Sequence, residues 1–597
     1  MGWGRHKHSL KVHMVRVLLQ AMVMTLSLGV FGILSGVDVA SAVTPDEAIR
    51  QQQILQQREE QRRLELERRH KESLQKPPSG QDLDLLQKET VPDEGQCFEV
   101  RQVVLEGATL LSDDEKVDVI TPYLHRCLYI QDINNLVRDI TNKYIEKGYI
   151  TTRIAVPQQN LASGILTLLV IEGKVESIKF DKAEKYAKRK LKMAFPDVEG
   201  RYLNIRDIEQ GLDQLNRLPS NNAKADFVPG STTGSTRVVI DNQREKSWRS
   251  TIGLDNSGQE STGELQYSLA LDKDNPLGIN DLLSVSYNAD YESMVAGEHQ
   301  DSQSIFGFYS FGYGYWAFTG SISRFDYRTK VQGASTDFTS SGNTVTTSVS
   351  ADYTFHRDAD STSSLGTGLT VRDTSNYLAG VKLKASSQIL SVAHVSATHS
   401  RRMFGGALTF NGKYSRGVPI WGAAPDPNNL NISDPKAEFD KVSMMVDYYR
   451  PFQLLGTNLS WSSRLWGQWS PDSLYSAEQA SIGSRYSVRG FHEDSLSGDT
   501  GGYIRNELAL ILPAGAQGSL PGNLLGNVQL YAGYDAGFIK EDQYDPYERG
   551  TVQGAALGIR TFGGTVMLDI MAAKPLDSPD YVQRDDWDFY ASLKVTF

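Results

Sequence analysis

The residues with the widest chemical scope in this 597-residue chain are two cysteines, Cys97 and Cys127. Two thiols cannot make a zinc site unless further ligands join them at suitable spacing; in an oxidising compartment they pair as a disulfide instead. No catalytic constellation accompanies them. The sequence holds no GxxxxGK[ST] phosphate loop, no HExxH metal pair and no GxSxG nucleophile turn. Gly312-Tyr313-Gly314 is too small a fragment of a dinucleotide fingerprint to call for a nucleotide cofactor. The reading is therefore a non-enzyme with no catalytic residues, no metal and no cofactor. Net charge is -11 with no basic patch, so no nucleic-acid partner is expected. One more residue has directional chemistry: Arg489, in Val488-Arg489-Gly490-Phe491, offers a planar fork of N–H donors, although an arginine in a loop is usually just solvated.

The elements that would position these residues are read from the hydropathy pattern. Arg5, Lys7, Lys11 and Arg16 precede an apolar stretch from about Val17 to Leu34, and Ala40-Ser41-Ala42 follows with small side chains. Together they read as a cleavable secretory signal over residues 1–42. The competing reading, an uncleaved anchor, is weakened by Gln20, Ser27, Gly29 and Gly32 within the stretch. Beyond it nothing approaches the ~20 apolar residues of a membrane helix. The C-terminal region alternates instead. Trp587, Phe589, Ala591, Leu593, Val595 and Phe597 interleave with Asp588, Tyr590, Ser592, Lys594 and Thr596. Leu265, Tyr267, Leu269 and Leu271, then Leu283, Val285, Tyr287, Ala289 and Tyr291, repeat the pattern. Val349, Ala351, Tyr353 and Phe355 do so again, as do Leu459, Trp461, Leu465 and Trp469. One apolar and one polar face suit a strand between lipid and a wet lumen. A soluble sandwich alternates too, but the signal, the terminal Phe597 and the length of the region favour a barrel over 248–597. At ~10 residues per strand it has room for about sixteen strands.

Residues 96–247 read differently. Val100 to Leu105 is a strand, two helical stretches follow, and Ile133, Leu136, Val137, Ile140 and Tyr144 mark one face of the second. Gly148 is placed to end that helix. Tyr149 to Val156 and Leu166 to Ile171 read as further strands. The order recurs: Val175 to Phe180, helices near Lys185–Ala194 and Ile205–Leu218, then strands holding Phe227 and Val238-Val239-Ile240. Two βααββ modules, 96–173 and 174–247, are expected. Their apolar faces are core, so binding is expected at an exposed strand edge, where an extended chain can add. Before them, Thr44-Pro45-Asp46-Glu47 has the form of a capping box opening a polar helix over 43–74. It has no continuous apolar stripe and would be ~45 Å long. It could thread a polar lumen, or it could be solvated or disordered. Residues 75–95, with Pro77-Pro78-Ser79-Gly80, read as a linker.

This layout resembles the transporters of two-partner secretion, the TpsB family, within the superfamily that includes the outer-membrane insertases. Val488-Arg489-Gly490-Phe491 is similar to that superfamily's VRG[FY] signature in a long sixth outer loop. Tyr534-Asp535-Ala536-Gly537 is similar to its motif on a late barrel strand. Gly501 to Leu508 (GGYIRNEL), Tyr144 to Thr151 and Pro229-Gly230 also look like family sequence. The resemblance covers essentially the whole mature chain. It implies a mixed fold: a C-terminal transmembrane β-barrel of about 16 antiparallel strands, preceded by two POTRA domains and an N-terminal plug helix, located in the cell outer membrane. It implies that the loop folds back into the lumen and Arg489 meets Asp535, with Val488 and Phe491 packed on the barrel wall and Gly490 allowing the turn; Gly537 is placed in the same loop-to-wall set. The implied partner is a large unfolded exoprotein (adhesin, haemolysin or contact-dependent growth-inhibition toxin) that docks on the POTRA domains. The docking edge is expected at Tyr149, Ile150, Thr152, Ile154 and Val156. A monomer in contact with outer-membrane lipid is expected. The alternatives are an insertase of the same superfamily, which usually carries more POTRA copies, and a passive porin, which leaves the modules unexplained.

Overall fold

The computed structural model describes Leu86 and residues 96–597, except 260–262, 292–300, 332–337, 385, 493, 516–518, 543, 546–548 and 583. The expected signal over 1–42, the expected helix over 43–74 and, Leu86 excepted, the expected linker over 75–95 lie outside the described residues. Apart from Val331 and Phe338, the described residues fall in one compact unit.

The first module runs β1 Phe98–Val100, β2 Gln102–Glu106, α1 Asp113–Ile120, β3 Arg126–Leu128, α2 Ile130–Glu146, β4 Arg153–Ala155 and β5 Ile165–Ile171. Ser112 and Glu115 begin α1 with a reciprocal capping box. In α2 the buried Ile133, Leu136, Ile140 and Tyr144 recur every three or four residues, as a helix with one core-facing stripe requires. Gly148, at φ 90°, ends it in a conformation that a side chain would strain. The sheet order is β2-β5-β4, with β2 parallel and β4 antiparallel to β5, so β4 has a free edge. A second small sheet pairs β1 with β3. Cys97 and Cys127 are joined in a disulfide, Cα atoms 5.4 Å apart, which fastens that small sheet. Leu86 is held to this module by its backbone: its N–H donates to the Asn142 side-chain oxygen at 3.0 Å and its C=O accepts from the Asn142 amide at 3.1 Å.

The second module has β6 Lys174–Phe180, α3 Ala187–Ala194, α4 Ile205–Asn216, β7 Ala223–Pro229 and β8 Ser235–Asn242, in sheet order β6-β8-β7. Ile205, Ile208, Leu212 and Leu215 pack its core with Val175, Val238 and Ile240. Each such side chain stabilises the module by on the order of 1.5–3 kcal/mol through burial.

The barrel begins with β9 Trp248–Asp255, β10 Gln266–Asp274, β11 Leu282–Asp290, β12 Asp301–Tyr313, β13 Trp316–Val331 and β14 Phe338–Arg357. It continues with β15 Ser361–Leu378, the two-residue β16 Val381–Lys382, β17 Ile389–Met403, β18 Gly406–Gly417, β19 Asp440–Leu454 and β20 Thr457–Trp469. After a small hairpin, β21 Ala480–Ile482 and β22 Leu496–Gly498, come β23 Gly501–Pro513, β24 Gly526–Ile539, β25 Gly550–Gly563, β26 Val566–Asp577 and β27 Asp588–Thr596. Without β16, β21 and β22 this makes sixteen barrel strands, and β27 pairs back onto β9 to close the ring. Closure leaves no unpaired edge. Leu269, Leu271, Val285, Trp461, Leu465 and Phe589 point outward and are exposed, whereas Asp272, Ser284, Glu507 and Asp535 point inward and are buried. An apolar outer surface of this extent is costly in water and stable in lipid.

The second module is hydrogen-bonded to the barrel's near turns. Gln210 and Gln214 donate to the Gly314 carbonyl at 3.0 and 2.8 Å, Tyr315 donates to Asp207 at 2.7 Å, and Arg357 pairs with Asp213. Asn280 donates to the Lys190 carbonyl at 2.8 Å.

Two expected elements are corrected. The strand read over Val100 to Leu105 is broken at Arg101: Val100 ends β1, which pairs with β3, and Gln102–Glu106 is β2, which pairs with β5. The strand read over Tyr149 to Val156 is confined to Arg153–Ala155, because the turn that follows Gly148 continues through Thr151. Ile150 packs against the second module's core and Thr152 is buried, so neither side chain lies on an open edge.

Candidate functional site: a loop clamped inside the barrel

Residues 470–500 join β20 to β23 at the barrel end remote from the modules, and the segment folds inward instead of standing in solvent. The β21–β22 pair gives it a hairpin base. Its tip is Val488-Arg489-Gly490-Phe491, and all three side chains of this tetrapeptide are buried. Val488 and Phe491 join Ile482 and Leu496 of the loop, with Ile539 and Val552 of the wall, in one apolar cluster.

Arg489 is completely buried and uses every edge of its guanidinium. Nε donates to Asp535 Oδ2 at 2.6 Å and Nη2 to Asp535 Oδ1 at 2.8 Å, two parallel bonds from fork to carboxylate. Nη1 donates to Glu507 Oε2 at 3.1 Å and Nη2 also to the Asn506 carbonyl at 3.2 Å. The backbone N–H of Arg489 adds a third bond to Asp535, at 3.2 Å. Glu507 in turn pairs with Arg560, which lies over the Tyr531 ring. A second loop arginine, Arg485, reaches Asp569 on β26 at 2.8 Å.

Glycines make the space. Gly490 sits at φ 98°, and a Cβ there would lie 2.7 Å from the Lys574 backbone. A Cβ at Gly533 would overlap the Arg489 guanidinium, and one at Gly554 the Arg489 carbonyl oxygen. At Gly537 it would press on Val488 and Ile482 at 3.0 and 3.1 Å. Thus the structure brings Val488, Arg489, Gly490, Phe491, Asp535 and Gly537 together. Glu507, Gly533 and Gly554 belong to the same site; Glu507 lies in the family-like Gly501–Leu508 segment, which assigns it no role, and the two glycines are not singled out by sequence reasoning. A signal for the glycines exists: glycine inside a strand often marks close approach of another backbone.

The residues expected to dock a partner are not one surface. Tyr149 and Ile154 pack on the first module's core, Ile150 on the second's, Thr152 is buried and Val156 is exposed. What β4 does present is its unpaired edge, with Arg153 and Ala155 exposed. The module behind it is well braced. Buried Glu172 accepts from the Thr109 and Leu110 N–H groups at 2.7 and 2.8 Å and from the Tyr144 hydroxyl at 2.8 Å. Burial and that carboxylate both push the Tyr144 hydroxyl well above its usual range. The hydrogen bond from Lys147, with that from the Ser112 N–H, pulls Glu115 down to about 2. Among the described residues no group of three acidic, histidine or cysteine side chains is placed to hold a metal ion.

A closed sixteen-stranded barrel with an apolar exterior, two periplasm-type βααββ modules and a loop locked to the inner wall defines a POTRA-plus-barrel outer-membrane protein. The model of the haemolysin secretion/activation protein ShlB/FhaC/HecB family matches residues 234–561. A ShlB-type POTRA model matches 98–173 and a second POTRA model 174–229. The outer membrane transporter CdiB of Escherichia coli is 35% identical over 504 residues, 84% of this chain and 83% of that protein. The hemolysin transporter protein ShlB of Serratia marcescens is 32% identical over 426 residues, 71% of this chain and 74% of that one. The solved structure of CdiB from Escherichia coli superposes with a TM-score of 0.84 at 33% identity, covering 93% of this chain and 100% of that one. The chain belongs to the ShlB/FhaC/HecB family of two-partner secretion transporters. It is an outer-membrane protein with its POTRA domains in the periplasm.

Proposed function

We propose that this transporter exports one large exoprotein, of the adhesin, haemolysin or contact-dependent growth-inhibition toxin kind, and that the sixth outer loop is its moving part. The observation that carries the reading is the Arg489 clamp. A buried guanidinium bonded to two wall carboxylates holds the loop in one defined position inside the lumen, and such a clamp can be exchanged for another position only as a unit. On this reading the partner reaches the periplasm extended, adds to the free edge of β4, and passes through the barrel to fold outside. Folding at the surface then makes the passage irreversible without a nucleotide. The domain borders that go with it are a signal over 1–42, a plug over 43–74, a linker over 75–95, POTRA domains over 96–173 and 174–247, and the barrel from 248. The protein works as a monomer surrounded by outer-membrane lipid, and no catalytic step is required of it.

The test is co-expression with a candidate large exoprotein from the same bacterium, read as exoprotein at the cell surface and in the medium. Export should require this chain. It should be lost when residues 98–173 are removed, with the barrel still inserted. Export that continues without the chain would reject the reading.

A further inference from the structure

We propose that the sixth outer loop has a second latch, built on Glu478, which must release separately from the Arg489 clamp before the loop can leave the lumen. The proposal rests on the reading that this loop moves during export. Glu478 ends a short 3-10 turn, Ser476–Glu478, on the limb that leads from β20 into the hairpin. A glutamate in an outer loop is ordinarily solvated, but this one is buried. Its carboxylate accepts from Arg372 Nη1 at 2.8 Å and from Lys441 Nζ at 2.7 Å. The backbone is gripped as well: Arg372 donates to the Ala477 carbonyl at 2.7 Å, and Lys441 and Gln468 donate to the Glu478 carbonyl at 2.9 and 3.0 Å.

The wall partners place this latch apart from the first. Arg372, Lys441 and Gln468 stand on β15, β19 and β20, whereas Asp535 and Glu507 stand on β24 and β23. Around the ring the order is β15-β17-β18-β19-β20-β23-β24. Besides Arg485, which pairs with Asp569 on β26 near the tip, the Glu478 and Arg489 sets fasten the loop at two different stretches of wall and have no residue in common. In each set the charges are shielded from bulk water, so removing one member weakens the hold of that set. Because the sets are disjoint, opening one does not open the other. Glu478 is a positioning residue: it holds the loop's first limb against the wall, while Arg489 holds the tip.

Amide hydrogen exchange of the full-length protein in detergent micelles reads each limb directly. The Glu478 N–H is bonded to Tyr475 O at 2.7 Å on one limb, and the Ser484 N–H to Val488 O at 3.0 Å at the tip. Glu478→Gln should speed exchange across 472–480 by about tenfold and leave 484–492 nearly unchanged, as expected when one local unit opens independently of another. Arg489→Ala should give the reverse. Lys441→Met lies on the wall and should match Glu478→Gln, which keeps the test decisive if a Glu478 variant does not insert; heat-shifted gel mobility reports the folded barrel. Unchanged exchange across 472–480 in both Glu478→Gln and Lys441→Met would overturn the second latch. Equal acceleration of both limbs by either lesion would also overturn it, because the loop would then open as one piece. Export is not part of the measurement, so a transporter that exports nothing would reject the proposed function without touching this result.

Discussion

Arg489 meets Asp535 through two side-chain bonds and one backbone bond, and this geometry determines what each substitution should do. Lysine keeps the charge but offers one ammonium where the site presents two carboxylates and a carbonyl in the plane of a fork. Arg489→Lys should therefore impair export although the barrel inserts normally. Removing one partner of a buried pair typically costs roughly 3–5 kcal/mol, since the remaining charge is left uncompensated. In Arg489→Ala that charge is Asp535, because Glu507 retains Arg560. Arg489→Ala and Asp535→Ala should each lower export by about tenfold or more, and the double variant should be little worse than either. Additive losses, or full export by Arg489→Ala, would show that the pair does not act as a unit. Gly554→Ala asks the same question without touching a charge. Its Cβ would overlap the Arg489 carbonyl oxygen, a backbone atom that yields only if the loop lifts. Export should fall as it does for Arg489→Ala, and undiminished export would mean that the loop need not lie against β25.

At the scale of elements, the first POTRA domain depends on its disulfide more than its size suggests. The β1–β3 sheet is two three-residue strands, too short to hold alone. The bond closes a loop of 30 residues, which in the chain-entropy model adds roughly 3–4 kcal/mol. Limited proteolysis of the full-length protein should cut within 97–128 after reduction and spare that segment before it; resistance in both states would reduce the disulfide to an ornament. The neighbouring edge is tested by a photo-crosslinker at Val156, exposed beside β4, against one at Gln102 on the opposite edge strand β2. Partner adducts should form from Val156, and adducts from Gln102 alone would move the docking surface to the other edge. These elements differ in how plainly the sequence announces them. The barrel strands are legible because lipid favours an apolar side chain at every second position, and α2 because its core stripe, Ile133 to Tyr144, runs over about three turns. β1 and β3 are not legible, since three residues are too few to show alternation. The 149–156 stretch looks like one strand because it is apolar, but its apolarity serves two different cores, with Ile150 drawn to the second domain and Ile154 to the first. Arg489 and Asp535 are legible through a family resemblance. Glu507 and Glu478 are not, because nothing in a lone glutamate tells whether water or a guanidinium faces it.

For the whole molecule, the governing fact is the number of strands. Eight strands enclose only enough space for side chains, whereas sixteen leave an aqueous channel unless something fills it. In this barrel the sixth loop is spread along the inner wall from β15 to β26, held by Glu478, Arg489 and Arg485. A sixteen-stranded lumen has room for a second element beside the loop. Sixteen-stranded porins keep such a channel open, so strand number alone does not demand a stopper; a transporter closed at rest does. The proposed plug, residues 43–74, has the right character for that position. It is rich in glutamine, glutamate and arginine and lacks an apolar stripe, so it can lie against a polar lumen without burying charge in lipid, and as a helix it would span ~45 Å, the full thickness of a bilayer. Deleting residues 44–74 should therefore raise single-channel conductance in planar bilayers severalfold while export continues, because the plug must leave for the partner to pass in any case. Arg489→Ala in the full-length chain should raise conductance far less, since it frees the wall lining and not the stopper. Conductance unchanged by the deletion would place 43–74 outside the lumen and leave the loop as the only barrier. In that case Arg489→Ala, and not the deletion, would be the variant that opens the pore.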